Sequence, residues 1–453
     1  MSEWFFTAPY DPTPVRRGDP LGFRTAASRY AEALAPGLSN RTVDARWFTL
    51  TAWTMVLAND VWRQLGHSVP AGLSRHATAD LFSWMVPLEL LQVARTLRLA
   101  DKKGRQLPGQ RAVAKWLAGG EKRARFGMSF AQFRRQRSSG VYGGYRVAFR
   151  TLPGLTVDGD GWRPDIIAEQ LARVAQLGLG ASAATPMRPR RTCDTFWQTE
   201  GWSEWAGSAG RNFLPEAIDA LRPITQDEIS LLRPLLFDGN DLDAGAERRS
   251  LTAHAMLASK ATVHHELCQD LERKLSKKSG GALRRLGAFA RLADAGLEVM
   301  NLIWLSLKQT EADRVPALAP AELTADQGIA DALRALIDAA KGWMSAEPEY
   351  RPEWTVPSEL AAVVVASARN KQGLIGAVVE HHVRRGGGRR WFHLDEADLV
   401  RPAFGLVDTE GSPYRFRLFS LARLAVQCGV AAGLPRALMA DRGVGGGLLE
   451  EDQ

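Results

Sequence analysis

A chain of 453 residues, 45% hydrophobic and 24% charged, is too long for one ordinary core and predicts two to four domains. This composition excludes a mainly disordered polypeptide. The longest uncharged stretch of the N-terminal third, 47–59, has 13 residues and the stretch 174–187 has 14, where a membrane span needs about 20 apolar residues.

Residues 1–20 carry four prolines and read as an extended arm. Helical spacing follows over 21–35, then a turn at Pro36-Gly37-Leu38, with Ser39 or Asn40 placed to cap the next helix. That helix is predicted over 42–66, with Trp47, Leu50, Trp53, Thr54, Val56, Leu57, Val61 and Trp62 as its apolar stripe. Another is predicted over 78–99, kinked or divided at Pro87. Between 110 and 177 the order is helix, turn, helix, hairpin, helix, which is that of a winged-helix unit. Its second helix is 141–152. Leu155-Thr156-Val157 and Trp162-Arg163-Pro164 flank a turn at Asp158-Gly159-Asp160-Gly161, and Asp165 caps the last helix. Within 178–210 the chain is rich in Gly, Ala, Ser, Pro and Arg. Helices are then predicted over 212–236, 248–275, 281–309 and 329–344, a bundle or small solenoid. The C-terminal block reads as a helix over 357–383, a short hairpin through 391–394 and 399–402, and a last helix over 416–429. The expected fold class is mainly α, a multi-domain helical protein with one or two winged-helix-like units carrying short β-hairpins. The expected domains are 1–104 (helical), 105–177 (basic, winged-helix-like), 178–210 (linker), 211–355 (helical bundle) and 356–453 (helix-hairpin-helix).

The net charge of +8 is unevenly spread, because 102–150 alone holds 13 Lys or Arg against one acid, Glu121. Aromatic residues are interleaved with these cations. A folded segment of this kind can bury its rings and present a positive face, which attracts a polyanion through release of condensed counterions. The candidate contacts are Lys102, Lys103, Lys122, Arg123, Arg125, Arg134, Arg135, Arg137, Arg146 and Arg150, with Tyr142 and Tyr145 on the same predicted helix. A Gly-rich turn, Arg384-Arg385-Gly386-Gly387-Gly388-Arg389-Arg390, adds four cations where glycine lets a phosphate backbone approach closely. A solvated charged surface, or one that meets an acidic protein, is the alternative for both.

Motifs for catalysis are missing. No P-loop, nucleophile elbow or Cys-x-x-Cys occurs, and no catalytic residue, metal ligand set or cofactor site is assigned. His264 and Cys268 share a helix face, as do Glu266 and Asp270, but either pair is half a metal site. His381, His382 and His393 flank the arginine turn and could serve a nuclease together with Arg384 or Arg390, although no acidic metal cage accompanies them. The start, Met1-Ser2-Glu3-Trp4-Phe5-Phe6, lacks the basic and apolar regions of a secretory signal. Cys193, Cys268 and Cys428 lie far apart, and with that start they predict reduced thiols in a cytoplasm.

The stretch Leu34-Ala35-Pro36-Gly37-Leu38-Ser39-Asn40-Arg41-Thr42 with Ala45-Arg46-Trp47, and Arg389-Arg390-Trp391-Phe392 with Tyr414-Arg415-Phe416-Arg417, resemble uncharacterised proteins of bacterial anti-phage defence islands. The resemblance implies an accessory subunit acting near DNA beside helicase or nuclease partners, and it transfers no catalytic residue. The expectation from the sequence is therefore a non-catalytic, cytoplasmic DNA-binding or adaptor subunit of a defence complex. It would grip phosphates largely without regard to base sequence. A helical scaffold for an acidic protein and a nuclease are the alternatives.

Overall fold

The computed structural model describes residues 18–64, 85, 89, 93, 140–177, 224–238, 244–309, 317–345, 351–386, 390–403 and 414–439. These residues are mainly helical. In chain order the helices are α1 (Arg24–Leu34), α2 (Arg46–Gln64), α3 (Val141–Thr151), α4 (Ile166–Leu177), α5 (Gln226–Arg233), α6 (Ala244–Leu257), α7 (His264–Leu275), α8 (Leu286–Gln309), α9 (Pro320–Ala325), α10 (Gln327–Met344), α11 (Thr355–Ser367) and α12 (Lys371–Arg385). Strands β1 (Phe392–Leu394) and β2 (Val400–Pro402) follow, then α13 (Leu418–Gln427) and α14 (Arg436–Met439). No helix among the described residues is long and apolar enough to cross a membrane.

The chain divides into two compact units, each assembled from separated segments. The first takes residues 1–33, 258–416 and 435–444, and the second takes 34–257, 417–434 and 445–453. The boundary expected between 355 and 356 therefore falls inside the first unit, where α10 packs against α11.

In the first unit α8 lies between α7 and α10, and α11 and α12 continue the layer to the hairpin. Its centre is aromatic. The Phe289 ring stands 5.5 Å from Phe23, 5.2 Å from Tyr30 and 5.8 Å from Phe416. The short strands form the predicted hairpin, pairing antiparallel in the register Phe392↔Pro402, His393↔Arg401 and Leu394↔Val400.

In the second unit α2 packs against α3 and α4. Trp47, Leu50 and Trp53 of the predicted stripe are buried, and Phe48 stands edge-on to Tyr145 at 5.1 Å. Met85, Glu89 and Val93 are helical and buried, at the four-residue steps that share a face. On α4 the buried face is Ala168, Leu171, Ala172 and Ala175, whereas Ile166 is 61% exposed. Thr225 opens α5 with a capping box, and Glu228 at its third position is buried against Arg46, 2.5 Å away.

Two long predicted helices are each broken. The stretch 248–275 separates into α6 and α7, because Ser259 Oγ accepts from Ala261 N–H and donates to Asp270 Oδ2 at 2.6 Å. Such local side-chain bonds offer the backbone an alternative to the helix. The stretch 357–383 separates into α11 and α12, where the Asn370 side chain accepts from Gly373 N–H at 3.1 Å and caps the new start.

Candidate nucleic-acid interface

Of the candidate contacts, Lys102, Lys103, Lys122, Arg123, Arg125, Arg134, Arg135, Arg137 and Arg389 lie outside the described residues. The others fall on α3, at the end of α12 and, for Arg390, just before β1.

Helix α3 is intrinsically weak, since Gly143 and Gly144 cost about 1 kcal/mol each relative to alanine. Its start is held by a distant carboxylate. Glu89 Oε1 accepts from Val141 N–H at 2.8 Å and Oε2 accepts from Tyr142 N–H at 3.0 Å. A buried anion at a helix N-terminus satisfies two open donors and complements the helix dipole. Val141, Ala148 and Leu152 face the core, as their spacing predicts.

Tyr142 and Tyr145, expected on the exposed face, are also core residues, 1% and 0% exposed. Tyr145 Oη donates to the Asp44 carbonyl at 2.7 Å and accepts from Asp44 N–H. Tyr142 Oη donates to the Gly161 carbonyl, and its ring lies 5.1 Å from Trp162. Neither can stack on a base. Spacing groups Tyr142, Tyr145, Arg146 and Phe149, but the three rings are turned inward and Arg146 alone of the four is half-buried. The outward face of α3 carries Val147 and Arg150, with Arg146 half-buried beside them.

The predicted hairpin after α3 is reduced to one antiparallel bridge, Thr156↔Pro164. The turn between has the positive φ angles its residues permit, 52° at Asp158 and 64° at Gly159. Arg163 is committed within it, its Nε 2.6 Å from Asp160 Oδ2 and its Nη2 3.4 Å from Asp158 Oδ2. This loop therefore offers phosphate no unpaired cation from Arg163.

Arg384 at the end of α12 and Arg390 just before β1 are exposed. Arg385 forms a two-pronged pair with Glu359, at 2.7 and 2.6 Å. The histidines are structural. His382 Nε2 accepts from Trp391 N–H at 2.9 Å, which leaves the proton on Nδ1 to donate to the Pro20 carbonyl at 2.8 Å. His381 Nε2 donates to the Leu21 carbonyl at 3.0 Å. Gly386 must be glycine here, because a Cβ would sit 2.5 Å from the His382 carbonyl and 3.1 Å from that of Pro20. Both imidazoles are buried and held by main chain, so a nuclease using them loses its general bases. Only His393, in β1, keeps partial exposure.

Burial lowers the pKa of both rings; the carbonyl bonds from Leu21 and Pro20 oppose it, and neighbouring Arg384, Arg385 and Arg390 add to it. The fold thus favours the neutral rings, while the unfolded chain takes up protons near pH 6.5. Stability should be full above pH 6.5 and fall as pH drops below it, by up to about 1.4 kcal/mol per pH unit for each imidazole. Urea midpoints measured from pH 8 to pH 5 check this, and a flat profile would refute it.

The His264 and Cys268 pair is completed by a residue the sequence did not suggest. His264 Nδ1 lies 3.0 Å from Asp294 Oδ2 on α8, and Nε2 lies 3.5 Å from Cys268 Sγ. Nucleophile, base and orienting carboxylate occur in that order. Cys268 is fully buried, however, and burial together with the Asp294 charge pushes its thiol well above the ordinary range, against a smaller opposing effect from Arg415. Such a thiol is inert packing. Cys428 is likewise pushed by burial to about 12. No cluster of three or more metal-ligating side chains able to hold an ion occurs among the described residues.

No protein-family model, curated protein or solved structure matches the chain.

Proposed function

We propose that the protein is a non-catalytic, cytoplasmic DNA-binding or adaptor subunit, of the kind found in bacterial defence complexes beside helicase or nuclease partners. The observation that carries this reading is the concentration of 13 cations against one acid in 102–150. Phosphate neutralisation is the chemistry such a segment provides, and it is largely indifferent to base sequence. The order α3, bridged loop, α4 fits a winged-helix-like unit with a much shortened wing. In that reading Arg146 and Arg150 contact the backbone, because the tyrosines are spent on the core. Arg384 and Arg390 assist from their own unit.

The test is the double variant Arg146→Ala/Arg150→Ala. Partly exposed arginines seldom contribute more than about 1 kcal/mol to stability, so its thermal melt should match that of the parent. Its affinity for a DNA duplex should fall about tenfold, and the salt slope should shrink by about one unit per lost contact. A folded variant with unchanged affinity and slope removes α3 from the interface.

A further inference from the structure

The first unit carries a second concentration of positive charge, at the corner between α7 and α8. From residue 273 to residue 293 the chain holds seven Lys or Arg and no acid. Arg285 turns inward, its guanidinium 3.6 Å over the Trp343 ring. Arg273, Lys274, Lys277, Lys278, Arg284 and Arg291 are exposed. The acids just upstream are already engaged. Asp270 pairs with Arg273 at 2.6 Å and accepts from Ser259, and Glu272 accepts from the N–H groups of Arg285 and Gly287 at the start of α8.

The backbone at this corner has the form of an anion nest. Ser279 is near the right-handed region, at φ −96° and ψ 0°, while Gly280 and Gly281 have φ of 56° and 81°. A right-handed residue followed by a left-handed one, as at Ser279–Gly280, turns successive N–H groups toward one concavity. The main-chain bonds that close the corner are donated by Ser279, Ala282 and Arg284; among the described residues, Gly280 and Gly281 N–H are not donors. A Cβ on either glycine would meet nothing within 4 Å, so the backbone is open to approach. Cations at a helix C-terminus also complement its dipole, but that effect fades within the last turn. It accounts for Arg273 and Lys274, and leaves Lys277, Lys278 and Arg284 without that explanation.

We propose that the α7–α8 corner binds a phosphate of a nucleic-acid backbone, through the Gly280 and Gly281 N–H groups with Lys277, Lys278 and Arg284 around it. This rests on the DNA-binding reading and gives the first unit a grip of its own, independent of 102–150. The experiment uses the full chain, a fluorescein-labelled 20-base-pair duplex and the variant Lys277→Gln/Lys278→Gln, with anisotropy titrations from 50 to 200 mM salt. Affinity should fall about tenfold and the salt slope should shrink by about one unit, the share of the one phosphate lost. In the unsubstituted chain the Gly280 and Gly281 amide resonances should shift when duplex is added, a readout that does not depend on how the variant folds. Duplex binding with unmoved glycine amides, or with unchanged affinity and slope in the variant, overturns the corner and leaves the 102–150 reading standing. No duplex binding by the unsubstituted chain overturns both.

Discussion

Between 50 and 200 mM salt, the affinity of the chain for a DNA duplex should fall about a thousandfold. Each phosphate neutralised contributes about −0.9 to the slope of log affinity against log salt, so six contacts give a loss of about three decades over that range. Thirteen cations in one segment make six contacts a modest demand. Exchanging the duplex sequence should change affinity far less than salt does, because cations on phosphates position a protein without reading bases. Anisotropy at four salt concentrations with two unrelated duplexes measures both effects. A flat salt profile would end the nucleic-acid reading and turn attention to an acidic protein, which would then be sought by co-purification at low salt.

Arg249→Ala should lower the stability of the second unit by about 3–5 kcal/mol. The side chain is 1% exposed, and its planar fork donates to three carbonyls: Leu236 at 2.8 Å from Nε, Pro36 at 2.9 Å from Nη1 and Leu235 at 3.1 Å from Nη2. Two of these carbonyls belong to the wide turn Pro234–Asp238 that ends α5. A buried carbonyl left without a donor costs about 1–3 kcal/mol, and truncating the side chain also leaves a cavity. Arg249→Lys should recover little, because a single ammonium cannot reproduce the geometry of the fork. Urea denaturation followed by tryptophan fluorescence is the measurement. A shift below about 0.5 kcal/mol for Arg249→Ala would show that water replaces the guanidinium at no cost.

Much of the helical architecture is legible in periodicity. Trp47, Leu50, Trp53 and Thr54 of the α2 stripe, the inward Val141, Ala148 and Leu152 of α3, and the β1–β2 hairpin follow from spacing and turn residues alone. Helix ends and breaks were harder to read. Ser259 stops a helix by bonding Asp270, eleven residues ahead, and Asn370 starts one in the short polar stretch 369–372 between two apolar runs. That the tyrosine face of α3 turns inward as well was not legible. Both faces carry rings or long side chains, and the choice was decided by Asp44, Gly161 and Phe48, all remote in sequence. His381 and His382 were visible as residue types beside arginines, but their partners are the carbonyls of Leu21 and Pro20, some 360 residues earlier. No local pattern announces such a pairing. Charge density, by contrast, needs no fold to be counted. The corner at 273–293 could have been found by the same count that found 102–150.

Both units are closed by segments near the far end of the chain. In the first, Tyr414 Oη accepts from Leu21 N–H at 3.0 Å and donates to Asp19 at 2.7 Å. In the second, Arg423 donates to the Val43 carbonyl at 3.0 Å, and Gln427 accepts from Ala45 N–H at 2.8 Å. A growing polypeptide emerges at about 5–20 residues per second, so the segments around Asp19 and Val43 wait on the order of 20–80 seconds outside the ribosome before their partners arrive. Throughout that interval Leu21 and Phe23 lack the cover that Tyr414 gives them. A chain truncated before residue 414 should therefore lack these closing contacts in both units, and limited proteolysis of such a truncated chain against the full one checks this.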